Sequence, residues 1–75
     1  MNYTIASMND NNFNQSINLD KSGNKYLVGL YNADTKEYCH REFDSINDAY
    51  IIFEKLSRCI CFGNYSFSDR KAMMN

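Results

Sequence analysis

Proline and tryptophan are absent from this chain, glycine and cysteine occur three times each, and histidine occurs once. Gly23, Gly29 and Gly63 stand far apart, which excludes a glycine-rich loop of the kind that cradles phosphate. Cys39, Cys59 and Cys61 cannot all pair within one chain, whereas a disulfide-stapled secreted domain of this size carries an even and denser set. Charge of one sign never accumulates: eight Lys and Arg stand against nine Asp and Glu, for a net charge of −1. The balance lacks both the basic footprint that displaces counterions from nucleic acid and the dense acidity of a DNA mimic. Long apolar runs are missing too. The longest, around residues 49–53, is far short of the ~20 residues a membrane-spanning helix needs. Residues 1–7 show no basic stretch followed by an apolar one, so no signal peptide is expected. These absences predict a soluble protein of a reducing cytoplasm, with no membrane partner and no cofactor.

What is present is enough to fold. Hydrophobic residues make up 44% of the 75, including six Tyr and five Phe, and a chain that apolar can offset its ordering entropy. The length allows one domain, residues 1–75. A domain of this size buries only about 60% of the surface its unfolded chain exposes, so association with a partner or a second copy is the default expectation. Eleven Asn, with plentiful Ile, Lys, Tyr and Phe, share AT-rich codons, which points to a low-GC bacterium or one of its mobile elements.

Period-two alternation predicts strands first. Residues 3–8 read as a short strand, followed by turn formers at 8–12. Phe13, Gln15, Ile17 and Leu19 then share a face of a half-buried strand, and residues 20–24 turn around Gly23. Residues 26–31 are apolar on both faces, as in a central strand, with Tyr26, Val28 and Leu30 on one side. After a turn at 32–36, residues 37–43 form a strand with Cys39 and Phe43 on one face and Tyr38, His40 and Glu42 on the other.

At Asp44 and Ser45 the period becomes helical. Ser45 with Asp48 three residues on resembles a capping box, and Ile46, Ala49, Tyr50, Phe53, Leu56 and Ile60 form an apolar stripe. Gly63 and Asn64 stop that helix, and Ser66 to Asp69 start a short second one, anchored by Phe67 and Met residues. The predicted fold class is α+β: an antiparallel meander of three or four strands packed against one main helix, with a short C-terminal helix.

Four groups of side chains are candidates for function. Cys39, His40, Cys59 and Cys61 are zinc-type ligands, but neighbours on a strand point to opposite faces, and no metal site is expected from them. His40 and Glu42 share a strand face without a nucleophile or oxyanion loop, so they read as a polar surface pair and the chain as a non-enzyme. Lys55, Arg58, Arg70 and Lys71 form a modest basic edge if the helices pack side by side. Tyr65 or Phe67 would then offer a stacking platform, although the same charges fit solvated helix positions. Because one helix covers only one sheet face, some of Tyr26, Tyr31 and Tyr38 must lie near solvent. With His40 they form the candidate partner surface, tyrosine being a favoured hot-spot residue. Core packing and cross-strand pairing explain the same tyrosines equally well.

The segment Lys25-Tyr26-Leu27-Val28-Gly29-Leu30-Tyr31, the strand end Arg41-Glu42-Phe43, and Asp44-Ser45-Ile46-Asn47-Asp48-Ala49-Tyr50 with Phe53 and Leu56 resemble small ββα accessory proteins. Such proteins are encoded by phages and mobile elements of low-GC Gram-positive bacteria, and many anti-CRISPR proteins are among them. The likeness spans residues 25–57 and is a pattern of strand, strand and amphipathic helix. It implies an inhibitor or adaptor that binds a larger host protein or ribonucleoprotein complex, such as a CRISPR effector; the near-neutral charge departs from the acidic mimics. The alternatives are a small nucleic-acid-binding regulator using the basic edge, and a self-associating structural protein that forms a homodimer through its open sheet face.

Overall fold

The computed structural model describes residues 2–58 and 66–74. In chain order these form β1 (Asn2–Asp10), β2 (Gln15–Ser22), β3 (Lys25–Asn32), β4 (Glu37–Phe43), α1 (Ile46–Arg58) and α2 (Phe67–Met74). The strands make one antiparallel sheet in the order β1-β2-β3-β4, a meander in which each strand pairs with its sequence neighbour. The fold is therefore α+β, as the patterning predicts, with all four strands present and the first beside the second.

Each hairpin is closed by a residue that takes a left-handed backbone. Gly23 and Asn24 form a two-residue turn between Ser22 and Lys25, with φ of +61° at Gly23 and no positive φ at Asn24. That is the type II′ pattern, whose twist matches the flanking strands. The other two turns have four residues each, and the fourth, Asn14 (φ 52°) or Lys36 (φ 62°), is left-handed. Both lie at the same end of the sheet, where the Asn14 side-chain amide donates to Asp34 Oδ1 at 3.0 Å. Phe13 thus belongs to a turn and is exposed, which corrects its expected place in β2.

The two faces of the sheet differ. Ile17 and Leu19 from β2 and Val28 and Leu30 from β3 are fully buried beneath Ala49, Phe53 and Leu56 of α1 and Phe67 and Met74 of α2. Ala6 and Met8 of β1, together with Cys39 and Phe43 of β4, pack at the margins of this core. A bulge between Thr4 and Ala6 shifts the register of β1, bringing Ala6 opposite Leu19 and leaving Ile5 partly exposed.

Helix starts follow the sequence signals. Asn47 N–H donates to Ser45 Oγ at 3.1 Å, and Asp69 N–H donates to Ser66 Oγ at 3.2 Å, so a serine satisfies an orphan amide at each N-terminus. The apolar stripe of α1 is narrower than expected: Ile46 and Tyr50 are exposed, and so is Ile51 beside them. Ile60 of that stripe, the stop at Gly63 and Asn64, and Tyr65, Cys59 and Cys61 lie outside the described residues.

Arg70 departs most from its expected place. Instead of being solvated on α2, it is the largest fully buried side chain among the described residues, directed into the end of the β1–β2 hairpin. Its Nη1 donates to Gln15 Oε1 at 2.9 Å and lies 2.9 Å from Asp10 Oδ2, an ion pair without hydrogen-bond alignment. Asp10 and Gln15 are directly paired across the hairpin and nearly buried themselves. The second oxygen of Asp10 accepts from the amides of Asn12 (3.0 Å) and Phe13 (3.2 Å), so one carboxylate orders the turn and neutralises the guanidinium. The physical reason for the correction is position: Phe67, Arg70 and Met74 follow core spacing on one face of α2, and burial of a guanidinium there requires the carboxylate that Asp10 supplies.

Candidate functional site

With both helices on one side, the other face of the sheet has no covering element among the described residues. Alternation from the paired registers places Ser16, Asn18 and Asp20 of β2, Leu27, Gly29 and Tyr31 of β3, and Tyr38, His40 and Glu42 of β4 on that open face. Tyr31 and Tyr38 are directly opposite each other. Tyr38 is 55% exposed and Tyr31 is 36% exposed, while His40 and Glu42 are exposed beside them.

Tyr38 is held rather than free. Its ring stacks on His40 with centroids 5.7 Å apart and planes 28° from parallel. The phenol leans across β3 and covers Gly29: a Cβ built there would come within 2.7 Å of Tyr38 Oη. Gly29 is thereby buried on a face that is otherwise open, and the absence of a side chain is what lets the ring lie flat. Partial burial pushes the Tyr38 pKa above its ordinary value, with the Asp20 carboxylate adding to the effect, so the phenol remains a neutral hydrogen-bond donor at physiological pH.

The expected partner residues therefore divide. Tyr31, Tyr38 and His40 come together on the open face. Tyr26 does not: it shares a face with Val28 and Leu30, is half-buried against the core, and accepts a hydrogen bond from Lys21 Nζ at 3.3 Å with that ammonium 4.7 Å from the ring centroid. The sequence had already put Tyr26 on the face of Val28 and Leu30; the structure adds that this is the face the helices cover.

The basic set divides as well. Arg70 is buried, and Arg58 is exposed but paired with Glu54 at 2.8 Å on the same helix. Lys55 and Lys71 are exposed. Lys71 lies close enough to Cys39 to counter, in part, the burial that pushes that thiol's pKa up. The four cations thus do not form one surface, because Arg70 is buried while Lys71, the next residue round the helix, is exposed.

Cys39 and His40 emerge on opposite faces of β4, as strand geometry requires, with Cys39 half-buried toward the helices. Among the described residues no group of three or more His, Cys, Asp or Glu converges, and no helix is long and apolar enough to cross a membrane. Sequence reasoning missed the Tyr38–Gly29 contact, for which a lone glycine in an apolar central strand was the available signal. It also missed Ile51, 62% exposed, which with Ile46 and Tyr50 makes an apolar patch on α1.

Comparison with protein-family models, curated proteins and solved structures returned no match for this chain.

Proposed function

We propose that the protein is a non-enzymatic binding module that recognises a larger protein through the open face of its sheet. The supporting observation is the pre-ordered aromatic cluster of Tyr31, Tyr38 and His40 on that face, with Tyr38 fixed by Gly29 beneath it and His40 beside it. A large amphipathic ring held in place before binding loses little conformational entropy on contact, which is the energetic basis of tyrosine hot spots. The phenol and imidazole supply polar tips, and the exposed Glu42 beside them offers a carboxylate to a basic group on a partner.

The likeness of residues 25–57 to accessory proteins of phages and mobile elements gives the partner class: a bacterial defence complex, such as a CRISPR effector, whose nucleic-acid-binding surface is basic. Inhibition would follow from occupying that surface. The test is capture of purified effector ribonucleoprotein by tagged protein, before and after nuclease treatment. The reading requires stoichiometric capture that survives nuclease and falls at least about tenfold with Tyr31→Ser or His40→Glu in chains that keep their circular dichroism spectrum. Capture that disappears with nuclease, or is indifferent to both substitutions, would reject it.

A further inference from the structure

The sheet has two edges, and they are not equally protected. The bulge between Thr4 and Ala6 interrupts β1, a common device against edge pairing. By contrast, β4 pairs with β3 in unbroken register from Glu37 to Phe43, and its residues Glu37, Tyr38, His40, Arg41 and Glu42 are exposed. It carries neither a bulge nor an internal lysine, and since no strand among the described residues pairs with its outer side, its outer backbone groups are a ready template for another strand.

We propose that β4 pairs antiparallel with β4 of a second copy, about a two-fold axis at Cys39. The sequence around this residue, Lys36-Glu37-Tyr38-Cys39-His40-Arg41-Glu42, is complementary to its own reversal. An axis at Cys39 sets Tyr38 opposite His40, Glu37 opposite Arg41, and Lys36, at the turn, opposite Glu42. Every charged residue of the segment then meets the opposite sign, and by symmetry each pair occurs twice. Directly opposed residues share a face in both copies, so the helices of the two copies lie on one side and the open faces on the other.

Neighbouring symmetric registers lose this match. A shift by two residues one way sets Glu42 against Asp34 and Arg41 against Thr35. The opposite shift sets Glu37 against Phe43 and Arg41 against Cys39, and it retains only Lys36 against Asp44, a carboxylate already held by Lys25. Opposite charges facing each other across an antiparallel pair stabilise it, and like charges destabilise it, so the sequence selects one register.

This interface uses the strand edge, leaves Tyr31 and Tyr38 uncovered, and joins two open faces into one broader surface. It stands or falls independently of the partner reading above.

Sedimentation equilibrium from about 1 µM to 1 mM tests it, because weak specific dimers fall in that range. The wild-type chain is expected to dimerise. Glu37→Arg and Arg41→Glu should each weaken association at least about tenfold, and the double exchange should restore it to within about threefold. Lys36→Glu with Glu42→Lys repeats the logic without disturbing Arg41, whose Nη1 donates to the Met74 carbonyl at 2.8 Å. In a Cys59→Ser/Cys61→Ser background, mild oxidation should link Cys39 to Cys39, since opposed Cα atoms about 4.5–5.5 Å apart fall within disulfide reach. A chain that stays monomeric across the range overturns the proposal. So does a dimer that tolerates both single charge reversals and yields no Cys39 cross-link.

Discussion

On the helix side of the sheet, Ile17, Leu19, Val28 and Leu30 are sealed by α1 and α2, and Arg70 is buried against Asp10 and Gln15. On the open side, the same strands present Ser16, Asn18, Leu27, Tyr31, Tyr38 and His40, and the one buried residue, Gly29, is covered by a single tyrosine. The strands are shared, so backbone pairing alone cannot distinguish the faces. What differs is where a lost contact is felt. A change on the covered side strands buried atoms, and its cost appears as stability. A change on the open side re-exposes surface that water already reaches, and its cost appears in whatever that surface binds.

Arg70→Ala should produce the largest effect. It leaves a buried carboxylate and amide without their cation, at a cost of about 3–5 kcal/mol. A chain of this length has roughly 4–11 kcal/mol of stability in all, so urea denaturation should show a much lowered midpoint or a chain largely unfolded at 37 °C. A loss of stability of less than about 1 kcal/mol would erase the distinction between the faces.

Gly29→Ala probes the other side. The new methyl group would meet Tyr38 Oη at 2.7 Å and Cε1 at 3.0 Å, so the ring must swing off the strand. The expected stability change is about 1 kcal/mol or less, because the displaced group is the far end of a half-exposed side chain. Partner capture should fall more than stability does, by about tenfold or more, with Tyr31→Ser as the comparison.

Ser66→Ala should cost about 1 kcal/mol by removing the oxygen that receives the Asp69 amide at the start of α2. Because α2 carries Arg70, hydrogen exchange is expected to rise at the β1–β2 turn as well as in the helix. A change confined to the helix would mean that the two are less tightly joined than the geometry indicates.

The smallest effect belongs to Lys25 and Asp44, an exposed ion pair between the start of β3 and the loop into α1. The hydrogen bond and charge of Asp44 raise the Lys25 pKa above its ordinary 10.5. A raised folded-state pKa contributes stability that is fully present below about 10.5 and is lost as pH climbs through the folded value. The stability difference between wild type and Asp44→Asn should therefore be slight at pH 8 and shrink further in strong alkali. Solvent screening keeps it near the limit of measurement.

Much of the architecture was legible in local pattern. Apolar residues on both faces from Tyr26 to Tyr31 marked the central strand, Ser45 and Ser66 marked both helix starts, and Gly23 marked its turn, because each is decided within a few residues. Turn boundaries were less legible. Phe13 reads as a strand residue by parity alone, but the Asp10 carboxylate captures the amides of Asn12 and Phe13 and extends the turn past it. The fate of Arg70 was not legible from its charge, since burial depends on an acid 60 positions earlier; its spacing with Phe67 and Met74 was the only local sign. Tyr26 shows how limited the tyrosine surface was as a sequence reading: its face could be assigned by parity, but which face the helices cover is a tertiary choice.

The clasp between Arg70 and the first hairpin also carries a kinetic consequence. The sheet closes by successive hairpins between sequence neighbours, the kind of topology that forms quickly, whereas the guanidinium joins its partner across 55 residues. An early meander would hold the Asp10–Gln15 end open to water until α2 docks over it. The clasp then belongs to the late side of the folding barrier, and its loss should steepen escape from the native state while leaving the rate of reaching it nearly unchanged. In a chevron plot, Arg70→Ala would lift the unfolding limb alone. The guanidinium would thus act as a latch that governs how long the protein stays folded rather than how fast it folds.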